Sequence, residues 1–230
     1  MTRIFENMSE ALEEIERDIM EMGIKVHPHT MQNKAVKHDK DYETLEVQNY
    51  SFTILDLSDK NEMIDNFKWC EAEFEERVAT NPDNPGEAWK LRREVWEEFL
   101  TKEGKFDYTY AKRFSTHLQV SQVIAELSKN PDSRQCIIHV NFPKDCKVWQ
   151  KNRIPCSMYY QFMIRRGKLD IIYNMRSSDF YSHFKNDIWL ADQLRKYISI
   201  YVGVETGLFH MNVGSLHAYK GYGHKGKHIF

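Results

Sequence analysis

The chain has 230 residues, of which 41% are hydrophobic and 29% charged, and its formal net charge is -2. That length suits one domain with a sizeable core, and the charge balance excludes the strongly basic face of a dedicated DNA-binding protein. No apolar run approaches the roughly 20 residues that cross a bilayer, so no membrane partner is expected, while a small anionic ligand needs only a few local arginines.

The N-terminal stretch MTRIFENMSEALEEIERDI is acidic and amphipathic, unlike a signal peptide. Leu12, Ile15, Ile19 and Met22 recur at helical spacing and Gly23 is a stop signal. Residues 25–44 are polar and rich in His and Lys and read as a loop; residues 45–57 read as a strand. A helix is predicted over 60–79, with Ile64, Phe67, Cys70 or Phe74, and Val78 on one face, before the break NPDNPG at 81–86. Helices follow at 87–100 and 115–129, the latter ended by PDSR at 131–134. The second half turns β-branched and aromatic, with strands predicted at 136–142, 158–164, 169–175 and 208–214 and a helix at 187–202. Gly167 lies in the short turn RRGK, so 158–175 reads as a hairpin. The mixture indicates an α+β domain over residues 1–230, with helices on one face of a largely contiguous sheet.

Four cysteines are present, Cys70, Cys136, Cys146 and Cys156, with no CxxC pair. Zinc and redox motifs are therefore not indicated, and free thiols in a reducing, cytoplasmic compartment are the expectation. Cys70, Cys136 and Cys146 read as buried apolar thiols. His27, His29 and His38 have no carboxylate-supported spacing, so no metal is expected. The tryptophans, Trp69, Trp89 and Trp96 among them, read as core or groove lining.

Four segments carry chemistry: PDSRQ at 131–135, RIPCSMYYQF at 153–162, NMRSSDF and FKNDIWLA within 174–191, and NVGSLHAY at 212–219. Alone, each has a plain structural reading: a buried cysteine, a turn with a surface ion pair, a core histidine. In this order and spacing they resemble the thymidylate synthase family. The likeness covers the C-terminal half well and the N-terminal half loosely. Within the family, NMRSSD, FKND and NVGSLHAY lean toward the deoxycytidylate hydroxymethylase branch of T-even phages.

The resemblance implies a thymidylate synthase-like fold, a mixed β-sheet packed with helices and dimerising through the sheet. It implies an enzyme that transfers a one-carbon unit from 5,10-methylenetetrahydrofolate to C5 of dCMP or dUMP, and, in the hydroxymethylase branch, phage DNA modification in a bacterial host cytoplasm. Cys156 matches the nucleophile: its thiolate adds to C6 and turns C5 into a carbon that can attack an electrophile, and a nearby arginine favours that thiolate. Arg176 and Ser177 match phosphate donors, and Arg134 matches an arginine that reaches the phosphate across the dimer interface. Gln135 stands where a second arginine is usual. His217 and Tyr219 match the pair on the sugar 3′-hydroxyl, Asp179 an aspartate near the pyrimidine carbonyl, and Tyr110 an active-site tyrosine, although Ala111 replaces the glycine that normally follows. Lys34 and Lys37 fall where the family has a phosphate-binding loop.

Eight residues beyond Asp179, at a position that is asparagine in thymidylate synthases, stands Asp187. Uracil presents an N3–H donor and an O4 acceptor, which a carboxamide matches. Cytosine presents the opposite pair, matched by a protonated carboxyl with its O–H donor and carbonyl acceptor. A mismatched buried pair can cost about 10⁴-fold in selectivity. Asp187 therefore argues for cytosine, unless a one-residue shift puts Asn186 against the base and makes uracil the substrate. Three departures bear on the reaction. Asn66 stands three residues before Trp69, where the family has a proton-relaying glutamate; Glu62, Glu71 and Glu73 are candidate substitutes, on a helix whose charges otherwise read as a solvated face. Only KGYGHKGKHIF follows Tyr219, where the family has a tail that closes over folate. Ser157 follows Cys156 where methylating members carry histidine. A less closed site favours water as the final nucleophile and 5-hydroxymethyl-dCMP as product. A dUMP-directed hydroxymethylase, a methylating synthase, a non-catalytic nucleotide-binding homologue and a different one-carbon donor remain alternatives.

Overall fold

The acidic stretch of the N-terminus makes α1 (Met8–Met22), where Asn7 caps the first turn by accepting from the Glu10 N–H and Gly23 closes the last by donating to the Ile19 carbonyl. Met8, Ala11, Ile15 and Ile19 are its buried face, whereas Met22 is exposed. The computed structural model describes residues 2–32, 34–146 and 153–222. The predicted loop at 25–44 instead begins with strand pairing. β2 (Ile24–Val26) pairs with β5 (Thr44–Ile54), and β3 (Thr30–Met31) and β4 (Lys34–Ala35) form a small hairpin. The edge of β5 offers backbone partners that a polar segment takes as readily as an apolar one. β1 (Arg3–Phe5) runs parallel to the far end of β5.

Three predicted helices are shorter than their patterns. The one expected at 60–79 is α2 (Phe67–Val78). Its predicted first turns are diverted by long-range partners: Asp59 accepts from the Met8 and Ser9 N–H groups, and Lys60 reaches Asp192. The segment at 87–100 is a chain of single turns around α3 (Arg93–Trp96), anchored where the Glu76 carboxylate accepts from the Glu87 and Ala88 N–H groups. The helix expected at 115–129 begins later, as α5 (Gln119–Lys129), and a separate short helix not expected from the pattern, α4 (Tyr110–Ser115), precedes it, with His117 and Leu118 at φ of 59° and 53° between them. Gln119 bonds the backbone of Arg113 and His139 and holds that break.

All four strands expected in the second half form, the first shorter than its pattern and the last two longer. β6 (Ile137–His139), β7 (Ser157–Arg165), β8 (Lys168–Asp179) and β9 (Glu205–Tyr219) join β1, β2 and β5 in a seven-stranded mixed sheet of order β1-β5-β9-β8-β7-β6, with β2 also on β5. Arg166 and Gly167, both at positive φ, make the tight turn of the β7–β8 hairpin. β8 and β9 are parallel, so a crossover must join them. That crossover is a π-helical turn (Phe180–Phe184) running into α6 (Lys185–Val202), which ends at Gly203 with φ of 79°. α6 is buried over much of its surface, through Ile188, Trp189, Leu190, Leu194 and Ile198. The core rests on β8 and β9, where Ile171, Tyr173 and Met175 and Phe209, Met211 and Val213 are buried at alternate positions. The alternation breaks on both strands at one level, Arg176 and Gly214, where a Cβ on Gly214 would stand 2.8 Å from the Arg176 carbonyl oxygen. Beyond that level Leu216 and Ala218 stay in the core, while Ser177, Asp179, Ser215, His217 and Tyr219 line a cavity.

Candidate active site

The cavity, of about 730 Å³, is walled by the ends of β5, β8 and β9, the start of α6, one face of α2 and the turns around α3. Cys156 enters from the residue before β7. Its Sγ lies 3.7 Å from Arg176 Nη2 and 3.8 Å from Ser177 Oγ. The Arg176 guanidinium is fixed from behind, donating to the Pro155 and Ile154 carbonyls and to Ser177 Oγ, each at 2.9 Å. An arginine so held presents a planar cation beside the thiol, the arrangement that also receives a phosphate. Arg176 is exposed and Cys156 half-buried, so both are open to a ligand.

Ser177, Asp179, His217 and Tyr219 line the same cavity at the paired ends of β8 and β9, where Asp179 stands opposite His217. Asp179 caps the π-helical turn by accepting from the Tyr181 N–H. Burial pushes its carboxyl up and pushes the His217 imidazole down, while each opposes the other's shift through its charge. The His217 and Tyr219 rings meet edge to face at 5.0 Å. Tyr110, at the start of α4, lies over Arg77, whose guanidinium carbon is 4.2 Å from the ring centroid. Its hydroxyl accepts from the N–H and Oγ of Ser157, both at 3.3 Å.

The register of α6 separates its two neighbouring polar residues. Asp187 faces the cavity and accepts from Ser178 Oγ at 3.2 Å. Asn186 is turned into the core, where its Oδ1 accepts from Cys70 Sγ at 3.5 Å. Burial is the largest influence on Asp187 and raises its carboxyl to about 7, against the opposing pull of Arg77 and Arg92. It therefore exchanges a proton near neutrality. Arg134 is not brought to this cavity; it is exposed on the loop before β6.

Of the candidate substitutes for the family glutamate, Glu73 faces the cavity rather than a solvated face, and Arg92, Arg153 and His183, which the motif reading did not single out, face it too. The spacing of Asn66, Trp69 and Glu73 on one face of α2 was a signal available in the sequence. Arg92, Arg153 and His183 come from separate segments, and nothing local joins them. Trp69 and Trp96 stack at 6.2 Å between centroids, with the His183 ring against both. The Arg153 guanidinium lies over Phe99 at 4.0 Å. Trp69 Nε1, Trp89 Nε1, Trp96 Nε1, Arg92 Nε and Arg153 Nε are buried and have no acceptor among the described residues. A wall of aromatic faces and unpaired N–H donors fits a flat, acceptor-rich molecule. The groove-lining reading of the tryptophans therefore holds. Cys70 and Cys136 are buried as expected, but Cys146 is exposed on the turn after β6. Lys34, predicted near a phosphate loop, pairs with Glu98. Of the segment after Tyr219, residues 223–230 lie outside the described residues.

The thymidylate synthase family profile matches residues 85–228. Among curated proteins, the deoxycytidylate 5-hydroxymethyltransferase of Enterobacteria phage T4 is 31% identical over 150 residues, covering 60% of this chain and 59% of the relative. A Methanosarcina barkeri protein, itself only provisionally assigned as a thymidylate synthase, is 34% identical over 141 residues, covering 57% of this chain and 64% of that protein. The chain thus spans about three fifths of the length of the curated relatives it matches. Among solved structures, the thymidylate synthase of T4 phage superposes with a TM-score of 0.72 at 21% identity, covering 92% of this chain and 77% of that one.

Proposed function

Because the chain belongs to the thymidylate synthase family, we propose that it is a one-carbon transferase acting at C5 of a deoxypyrimidine monophosphate, with dCMP as substrate and 5-hydroxymethyl-dCMP as product. The observation that carries this reading is the pair of adjacent side chains at the start of α6. A carboxyl that holds a proton near neutrality faces the cavity, and the neighbouring amide is spent on Cys70 in the core. A carboxyl with its proton offers the O–H and the carbonyl that the cytosine N3 and N4–H₂ call for. The uracil reading needs Asn186 against the base.

Cys156 Sγ adds to C6 of the pyrimidine, and the C5–C6 π electrons move to C5, which becomes the nucleophile. Arg176 and Ser177, both within 4 Å of that sulfur, bind the phosphate and so bring C6 to it. His217 and Tyr219 orient the sugar, and Asp179 supports the imidazole across the strand pair. Tyr110 fixes Ser157 and with it the approach of Cys156. Trp69, Trp96, Arg92 and Arg153 would hold methylenetetrahydrofolate, because their faces and unpaired donors suit its flat, acceptor-rich ring. When bound, the folate supplies the carbon at the oxidation level of formaldehyde. Loss of the C5 proton and departure of the folate amine with its C–N pair would leave a methylene on C5; water adds to that methylene and gives up a proton, the π pair returns to C5, and the C5–C6 double bond reforms as Cys156 leaves C6 with the C–S pair.

Arg134 lies outside its own chain's cavity, which suits a role across a homodimer built on the sheet, where it would reach the partner's phosphate. The test is release of tritium from C5-labelled dCMP and dUMP, with and without methylenetetrahydrofolate. Folate-dependent release from dCMP, with the hydroxymethyl nucleotide recovered, is the expected result. Release from dUMP alone, or binding with no release from either, overturns the reading.

A further inference from the structure

Substitution at C5 removes the proton that C5 carries, and the residues assigned above are otherwise engaged. Among the carboxylates lining the cavity, Glu46 accepts from Ser215 Oγ, Glu76 holds the Glu87 and Ala88 N–H groups, Glu98 pairs with Lys34, and Glu94 is exposed. Asp179 caps a turn, and Asp187 faces the cavity, where the proposed function assigns it to the base. Glu73 is different. It projects from α2 one turn beyond Trp69, on the face that also carries Asn66, and its side chain is 19% exposed, toward the cavity. Its Oε1 accepts from Arg77 Nε at 2.8 Å, and Arg77 in turn lies under the Tyr110 ring. The carboxyl is thus aimed by an ion pair, and the residue that aims it is held by the tyrosine that positions Ser157. Burial raises both the Glu73 and the Asp187 carboxyl while Arg77 restrains both, and the Glu73 charge raises Asp187 further.

We propose that Glu73 is the acid–base residue that moves the proton at C5, directly or through one water. This rests on the reading of the cavity as the site of C5 chemistry. The step balances without any one-carbon donor. As Cys156 Sγ bonds to C6, the C5–C6 π pair takes a proton from the Glu73 carboxyl and C5 becomes a CH₂. In reverse, the Glu73 carboxylate takes either of the two C5 protons, the C–H pair reforms the double bond, and Sγ leaves with the C–S pair. The net result is exchange of the C5 hydrogen with solvent. In the complete reaction the same carboxylate takes the C5 proton after the new carbon–carbon bond has formed.

The experiment follows loss of the C5–H proton signal of dCMP in D₂O, without folate, for the wild type and for Glu73→Gln, Glu73→Asp and Cys156→Ala. dCMP binding is measured by calorimetry in each folded variant, and Cys156 alkylation by iodoacetamide in the wild type and the two Glu73 variants. Exchange by the wild type, none by C156A, exchange slower by about 100-fold or more in E73Q and partial recovery in E73D is the expected pattern, with dCMP binding and alkylation by E73Q within about threefold of wild type. E73Q exchanging within about threefold of wild type overturns the proposal. So does E73D no faster than E73Q, or loss of dCMP binding in E73Q, since Glu73 would then act only by holding Arg77 and the pocket. Wild-type exchange on dUMP alone overturns the choice of base, and Glu73 is then judged by the same comparison on dUMP. No exchange on either nucleotide overturns the functional reading and this proposal together.

Discussion

Asp187→Asn replaces a side chain that can gain or lose a proton by one that cannot. In the wild type the carboxyl titrates at about 7 because its ionised form is desolvated at the start of α6. The form that pairs with cytosine carries one proton, and the ionised carboxylate leaves the cytosine N3 without a donor. The protonated share falls from about nine tenths at pH 6 to about one tenth at pH 8, so the apparent Kd for dCMP weakens about tenfold over that interval. The nucleotide phosphate titrates in the same region, and D187N serves as the control because it retains the phosphate contacts without the carboxyl. The wild-type to D187N ratio of dCMP affinities, measured by calorimetry from pH 5.5 to 8.5, is expected to fall about tenfold between pH 6 and pH 8. The preference for dCMP over dUMP in kcat/KM is expected to drop by about 10²-fold or more in D187N, in line with the cost of an unpaired buried group. Stability moves in the opposite sense. A carboxyl raised in the folded state is penalised as pH rises from its unfolded value near 3.8 to about 7, and the penalty is constant above that. D187N is therefore more stable than wild type at pH 8, by at most about 4 kcal/mol and by less to the extent that cavity water screens the charge, and the gap closes below pH 4. Superimposable wild-type and D187N binding profiles, or an unchanged base preference, would refute the reasoning.

Three other perturbations probe separate parts of the site and fold. Cys156→Ala is expected to abolish C5 tritium release while dCMP binding stays within about threefold of wild type, since the sulfur makes the covalent bond and Arg176 and Ser177 hold the phosphate; turnover near wild type would remove Cys156 as nucleophile. If Arg134 acts across a dimer, an equal mixture of inactive R134A and C156A chains, exchanged and reassociated, contains heterodimers with one intact site, and activity returns to about a quarter of wild type; no recovery would place Arg134 outside the partner's site. Asp192, fully buried, pairs with Lys60 and Arg195, which are themselves buried. D192N strands those cations and is expected to cost about 3–5 kcal/mol in urea unfolding, and a cost under about 1 kcal/mol would show that the cluster relaxes to water.

Local signals located α1, the β7–β8 hairpin, α6 and β9, because each is a continuous run whose periodicity and terminal glycine are set by neighbours in the chain. They overran the starts of α2 and α5 and left α4 unpredicted, because Asp59, Lys60 and Gln119 are taken by partners on distant elements, and such competition has no local signature. At the site, the motifs around Cys156, Arg176 to Asp179, Asp187, His217 and Tyr219 were legible as ordered segments, and the fold brings them to one cavity.

The sequence by itself determined that these residues exist in a family-like order, that β8 and β9 flank a helix, and that an aspartate and an asparagine stand side by side at 186–187. Only the tertiary structure decided which of the two faces the cavity. One residue is 100° of rotation on a helix, and the rotation of α6 is set by the packing of Ile188, Trp189 and Leu190 in the core and by the Cys70 thiol that takes Asn186. The same packing buries Asp187 enough to bring its proton to neutrality, an effect of desolvation that no reading of neighbours along the chain contains.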